Sequence, residues 1–307
     1  MTDDSLASDR VPGADLEAEL TSQPDVWERA IALPERVLLP ADGQRIAVIG
    51  CGTSWFMAQS YAAMRESDGR GETDAFAASE AFVDRDYDAI VAITRSGTTT
   101  EVLELLADVN GRSRRDRART VAVIGDPHTP IVDLVDDVIA MPFADEKSVV
   151  QTRFATSALA LLRASVGGDL TRPVAEAREV LAVDLDDELV GAEQYTFLGT
   201  GWSVGIAHEA ALKMRESSQS WTESYPSKEY RHGPIAIAAP GRVTWSFGEP
   251  PVGLADDTRA TGARFEFNPI DPMADLVRLH RVALERARRA GLDPDTPRSL
   301  TRSVILG

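Results

Sequence analysis

The 307-residue sequence is poor in cysteine and has no long hydrophobic run. Its single cysteine, Cys51, cannot form a disulfide within the chain, which agrees with a reducing compartment. No apolar stretch approaches the roughly 20 residues that a membrane-spanning helix needs. The first residues, MTDDS, lack the basic and apolar regions of a secretion signal. We therefore expect a cytoplasmic protein that has no membrane partner.

Basic residues are also scarce, since 32 Lys and Arg against 49 Asp and Glu give a net charge of −17. Proteins that bind nucleic acids use basic patches to neutralise phosphates, so we expect no nucleic-acid partner. Lysine is the rarer basic residue: Lys147, Lys213 and Lys228 are the only three. A lysine in this chain therefore marks a position where an adjustable ammonium group could be needed in place of a guanidinium.

Two segments 149 residues apart, aligned on Gly50 and Gly199, begin in the same way, with a short apolar strand, a glycine-rich turn and a helix-like stretch. Further apolar strands, predicted at 89–94, 120–125, 242–247 and 264–267, alternate with helices in each half, which predicts an α/β protein with parallel sheets. We interpret the chain as two tandem doubly wound, flavodoxin-like domains at 39–170 and 191–307. An acidic arm would precede them at 1–38 and end in a short helix near 23–33, and a linker would join them at 171–190.

Two loops in the first half have the composition of a phosphate cradle. Residues 50–54 read GCGTS and residues 94–100 read TRSGTTT, each between a predicted strand and a predicted helix. Hydroxyls, flexible glycines and backbone amides at the start of a helix bind anions, although Ser and Thr there can also simply cap the helix. Neither loop is a P-loop or a complete dinucleotide fingerprint, so nucleotide cofactors are disfavoured.

The second half contributes three candidate catalytic residues. Lys213 and Glu216 are three apart on a predicted helix, where they could also form an ordinary solvated ion pair. His232 lies between Arg231 and a Gly-Pro pair, where it could also be an ordinary surface histidine.

Together these stretches resemble the SIS (sugar isomerase) family, and most closely the isomerase half of glucosamine-6-phosphate synthase and the related deaminases and deglycases. Nearly the whole chain is covered. The resemblance rests on CGTS at 51–54, ASE at 78–80, SGTT at 96–99, ALKMRE at 211–216, HGP at 232–234 and PRSLTRSV at 297–304.

The resemblance implies two tandem SIS domains and a phosphorylated sugar as ligand, without metal or cofactor. Glu216 would move a proton between C1 and C2 with help from Lys213, and His232 would open the ring. His232 would come from the neighbouring subunit of a homodimer, and Gln151 would lie on a loop that closes over the sugar. The residues of the two loops that match those holding the sugar phosphate are Thr53, Ser54, Thr94, Ser96 and Thr99. Cys51, Gly52 and Arg95 of the same loops are further candidates for binding it.

Three departures from the synthase refine this expectation. No segment resembles its glutamine-hydrolysing domain, so we expect no nitrogen transfer from glutamine. Arg302, a fourth candidate catalytic residue, stands where the synthase has an imine-forming lysine, and arginine stays protonated. Either the imine step is dispensable or Lys213 takes it over. Arg95 stands where the synthase has a neutral residue in the phosphate loop, and its charge could tighten phosphate binding or select another acidic group. The sequence favours a sugar-phosphate isomerase that releases an amine, with a plain isomerase or a non-catalytic phosphosugar sensor as alternatives.

Overall fold

The computed structural model describes residues 10–112 and 117–306, and these fold into two parallel β-sheets with helices around them. The first sheet has the strand order β2-β1-β3-β4-β5. Its strands are β1 (Ile46–Gly50), β2 (Thr73–Ala77), β3 (Ala89–Thr94), β4 (Arg119–Ile124) and β5 (Asp137–Ala140). The helices of this half are α1 (Ala14–Thr21), α2 (Gln23–Ile31), α3 (Thr53–Ser67), α4 (Thr100–Asn110) and α5 (Arg153–Ser165).

The second sheet has the order β7-β6-β8-β9, and its strands are also parallel. The strands are β6 (Gln194–Gly199), β7 (Thr222–Pro226), β8 (Arg242–Phe247) and β9 (Arg264–Phe267). The helices are α6 (Thr171–Ala182), α7 (Asp187–Gly191), α8 (Ser203–Ser218), α9 (Leu254–Ala260) and α10 (Pro272–Arg289). The predicted α/β class with parallel sheets is therefore confirmed.

One hydrophobic core connects the two sheets. It contains buried residues of both central strands, such as Val48 of β1 and Phe197 of β6. The predicted division into two tandem domains stays a prediction. Residues 171–190, expected to be a linker, include α6 and most of α7, and both helices pack against α10.

The part of the acidic arm that the structure describes is helical, and residues 1–9 of the arm lie outside the described residues. Helix α2 matches the helix expected near 23–33, and α1 precedes it. Trp27 of α2 is fully buried and donates to the Thr156 hydroxyl at 2.9 Å. None of the described helices combines the length and the hydropathy needed to span a membrane.

Helices α3 and α8 pack directly against each other between the two sheets. They are in close contact at Gly205 of α8, where an added Cβ would lie 2.3 Å from the Phe56 carbonyl oxygen and from the Ser60 hydroxyl. Real Cβ atoms do not approach other heavy atoms so closely. The glycine therefore allows the two helix backbones to touch, and this contact positions the amino end of α3 relative to α8.

Candidate functional site

A pocket of about 180 Å³ brings together residues from both halves of the chain. It lies where the turn after β1, the start of α4, the loop before α5 and the face of α8 meet. The carboxyl ends of parallel strands are the usual place for ligand sites in such sheets. The residues that line it are Cys51, Gly52, Thr53, Thr99, Val149, Gln151, Lys213, Glu216, Leu300, Thr301, Arg302, Ser303 and Val304.

The turn after β1 enters this pocket because Gly52 takes a left-handed conformation with φ of 53°, after which α3 begins at Thr53. In the second loop Thr99 lines the pocket and directly precedes α4, but its side chain makes no capping hydrogen bond. The capping alternative therefore does not account for Thr99. Ser54 and Thr94, also predicted to hold phosphate, are buried and do not line the pocket.

The chain's own C-terminal tail, residues 297–306, lies over the second loop. Ser96 and Thr98 both donate hydrogen bonds to the Ser303 hydroxyl, at 3.1 and 2.9 Å. The Thr100 amide donates to the Val304 carbonyl at 3.2 Å. Two hydroxyls that the sequence assigns to a phosphate loop are therefore in contact with the tail.

Arg95 fastens this tail and is not part of an open phosphate cradle. Arg95 is 1% exposed, and its guanidinium donates to the carbonyl oxygens of Ser148 and Arg302, at 2.9 and 2.6 Å. Arg302 lines the pocket, and its guanidinium is paired with the Asp145 carboxylate at 2.5 Å. Sequence reasoning singled out Arg95 and Arg302 as charged residues but did not predict the groups that they contact.

Three ionisable residues, Glu209, Lys213 and Glu216, form a cluster on α8, and Lys213 and Glu216 line the pocket. The Lys213 ammonium is 2.5 Å from Glu216 Oε2 and 3.6 Å from Glu209 Oε1. The side chains of Lys213 and Glu209 are each 1% exposed, whereas that of Glu216 is 20% exposed. The alternative that Lys213 and Glu216 form a solvated surface pair is therefore wrong for Lys213. Of the two carboxyl groups, that of Glu216 is the one that a ligand can reach.

Burial and charge act on this cluster in opposite directions. Burial lowers the pKa of Lys213, but the negative charges of Glu209 and Glu216 outweigh it and raise the pKa overall. Burial raises the pKa of Glu209 to about 8, and Lys213 counteracts this only in part. The single positive charge of Lys213 can balance only one of the two carboxylates, and it lies closer to Glu216. The protonated form of Glu209 is therefore favoured near neutral pH.

Sequence reasoning missed Glu209. Its position one helical turn before Lys213, in the spacing Glu209, Lys213, Glu216, is the signal that could have found it, because i, i+4 and i, i+3 residues share a helix face. Its Oε2 atom is buried and has no hydrogen-bond partner within the described residues. Such an atom is less costly to bury on a neutral carboxyl than on a charged one.

Glu209 predicts a pH dependence of stability. Its pKa is higher in the folded chain than in the unfolded chain, so the group lowers stability as pH rises from about 4.5 to about 8. Glu209→Gln should reduce this decline, so that the difference in Tm between variant and wild type grows in favour of the variant from pH 5 to pH 8. Thermal unfolding at several pH values measures this, and parallel curves for the two proteins would contradict it.

His232 does not line the pocket of its own chain. It ends a short 3-10 segment (Ser227–His232) and is exposed. Both predicted possibilities, a surface histidine and a residue that reaches the site of a neighbouring subunit, stay open. Gln151 does line the pocket, and its Oε1 atom is buried with no hydrogen-bond partner in the described part of the chain.

Comparison with known sequences confirms the predicted resemblance. The glutamine–fructose-6-phosphate aminotransferase (isomerizing) of Nostoc sp. is 28% identical over 95% of this chain and 57% of its own length. The Thermus thermophilus enzyme of the same name is 27% identical over 87% of this chain and 53% of its own. The chain thus spans about half the length of these relatives, and the matching half is their isomerase portion. No protein-family model matches the chain.

Solved structures share the fold. Glucosamine-6-phosphate deaminase from Thermotoga maritima superposes with a TM-score of 0.80 at 21% identity, covering 95% of this chain and all of that one. Tagatose-6-phosphate ketose/aldose isomerase from Escherichia coli gives 0.78 at 16% identity, covering 96% of this chain and 98% of that one. The same arrangement of sheets and helices is therefore used by several proteins of different name.

Proposed function

We propose that this chain, a homologue of the isomerase (SIS) portion of glutamine–fructose-6-phosphate aminotransferases, is an enzyme that isomerises a phosphorylated amino sugar with release of the amine. The substrate would resemble glucosamine 6-phosphate or an amine-conjugated ketose phosphate. The names of its relatives and structural neighbours support a sugar phosphate as ligand.

The observation that carries the proposal is the composition of the 180 Å³ pocket. It combines loop hydroxyls and amides at Thr53 and Thr99 with the carboxylate of Glu216 and the ammonium of Lys213. The first pair fits the phosphate and hydroxyl groups of a sugar, and the second pair fits proton transfer next to a carbonyl. The free Oε1 of Gln151 adds an acceptor for a sugar hydroxyl.

Glu216 and Lys213 have complementary tasks in the proposed reaction. Glu216 is the reachable carboxylate, so it would carry a proton between C1 and C2 of the opened sugar. As the proton leaves carbon, negative charge develops on the neighbouring oxygen or nitrogen, and a fixed ammonium stabilises that charge. Burial of Lys213 strengthens this effect because little water competes for it.

Release of the amine follows from where the proton moves. When the amine is on C2, transfer of the proton from C2 to C1 leaves an imine at C2. Attack of water on that imine gives a ketose phosphate and ammonia. When the amine is on C1, the reverse transfer leaves an imine at C1, and hydrolysis gives an aldose phosphate and the free amine. Neither route needs an imine with the protein, in keeping with Arg302 paired to Asp145 in place of a tail lysine.

Ring opening would require a second copy of the chain. His232 is exposed and does not line its own pocket, so it could act on a sugar only in a neighbouring subunit. We therefore propose that a homodimer is the working unit.

The test is to incubate the purified protein with glucosamine 6-phosphate and with amine conjugates of fructose 6-phosphate. We expect equal amounts of amine and of product sugar phosphate, measured by an amine assay and by chromatography. Aldose–ketose conversion without amine release would indicate a plain isomerase. Binding without turnover of any compound would contradict the enzyme proposal and favour a phosphosugar sensor.

A further inference from the structure

A second pocket, of about 470 Å³, lies directly beside the first. Glu216 and Leu300 line both pockets, so the proposed proton-transfer carboxylate stands at their boundary. The second pocket is larger than the first, and a group attached to the reacting end of a sugar phosphate would extend into it. The described tail forms one of its walls and the end of α8 forms another.

The walls of this second pocket carry two guanidinium groups. Arg215 comes from α8 and Arg298 from the tail. Neither forms an ion pair with a carboxylate within the described residues, although many other arginines of this acidic chain do. Arg215 donates to Thr222 Oγ1 at 3.0 Å, and Arg298 is exposed with no hydrogen bond in the described ranges. Both guanidiniums therefore have donors left for an anion.

The backbone conformation is also unusual at this pocket. Gln219 and Ser299, with φ of 53° and 64°, are the two non-glycine residues with a left-handed backbone in residues 10–112 and 117–306. Both line this pocket. Gln219 ends α8, where this conformation is common, but Ser299 has no helix to end. Ser299 lies between Arg298 and Leu300, and the local backbone strain is typical of segments that position a binding group.

We propose that this second pocket is a subsite for the amine portion of the substrate, and that it selects an amine that carries a carboxylate, such as an amino acid. The inference rests on the proposed function. Guanidinium groups bind carboxylates through charge-assisted hydrogen bonds, often two at once. A ketose phosphate joined at C1 to an amino acid would place its phosphate in the first pocket and its carboxylate between Arg215 and Arg298.

Two matched probes test the subsite. They are the 1-deoxyfructose 6-phosphate adducts of glycine and of glycinamide, joined through the amine at C1, which differ by a carboxylate against a neutral amide. Calorimetry with the Glu216→Gln protein measures binding without turnover. We expect the glycine adduct to bind about tenfold more tightly at low salt, because one charge-assisted contact contributes an effect of that order. The preference should fall to threefold or less in Arg298→Gln. Arg259→Gln, which removes an exposed arginine on α9, should retain it.

Equal affinity for the two adducts, or an undiminished preference in Arg298→Gln, would overturn the subsite. The subsite would also be overturned if glucosamine 6-phosphate bound to the protein and neither adduct did. Turnover of the adducts by the wild-type protein is measured separately. A retained charge preference without turnover would count against the proposed function alone, and turnover without the preference would count against the subsite alone.

Discussion

Glu216→Gln is expected to lower kcat on the proposed amino sugar phosphate by about a thousandfold, with little change in the affinity for the sugar. The amide keeps the shape and hydrogen-bonding capacity of the carboxylate but cannot take up a proton from carbon. General acid–base groups contribute about 10²- to 10⁴-fold to rate. The measurement is steady-state turnover together with calorimetric binding of glucosamine 6-phosphate to both proteins.

A carboxylate outside the site provides the control for this experiment. Glu285 on α10 is 38% exposed and pairs with Arg289, so Glu285→Gln removes a charge without touching the pocket. Its kcat should stay within twofold of wild type. If Glu216→Gln keeps more than a tenth of the wild-type kcat, Glu216 is not the proton carrier. If the Glu216 variant loses sugar binding as well, its main role is in binding.

Gly205→Ala is expected to destabilise the fold by about 2 kcal/mol, although alanine favours helices by about 1 kcal/mol over glycine. The added methyl would lie 2.3 Å from the Phe56 carbonyl oxygen, so α3 and α8 must move apart. That movement would also separate Thr53, at the start of α3, from Lys213 and Glu216 on α8. A misplacement of about 1 Å can lower a rate about 10²-fold, so we expect kcat to fall together with stability.

Gly191→Ala is the matched control, since a Cβ there would meet nothing within 4 Å and its φ is not positive. It should leave Tm and kcat unchanged within error. Chemical denaturation of the two variants and the wild type measures the free energies of unfolding. A Gly205→Ala protein as stable as Gly191→Ala would show that the α3–α8 contact is not as tight as the structure indicates.

Much of the fold could be predicted because the buried strands are continuous apolar runs. The predicted limits of β3, β8 and β9 agree with the structure, and β4 differs by one residue at each end. The strands β2, β5 and β7 were not predicted, and all three lie at the edges of their sheets. The sequences of β2 and β7, TDAFA and TESYP, are about half polar, as is common where one face of a strand is less covered.

The candidate site was predicted in its residue types but not in its contacts. The sequence motifs nominate Thr53, Thr99 and Glu216 as candidate site residues, and in the structure all three line one pocket. The burial of Arg95 under the tail could not be predicted, because residues 95 and 302 are brought together only by the completed fold. The state of Glu209 likewise depends on desolvation, which sequence spacing does not measure.

The tail that crosses the second loop has a consequence for how the protein is made. The pocket combines residues from Cys51 to Val304, so it cannot close until the ribosome has synthesised the chain as far as Val304. If the predicted first domain at 39–170 folds on its own, its sheet forms much earlier, because domains fold as the N-terminal parts emerge. During that interval Ser96 and Thr98 have no Ser303 to contact, and their hydroxyls are open to water or to a sugar phosphate. A metabolite could therefore meet the nascent loop before the tail does.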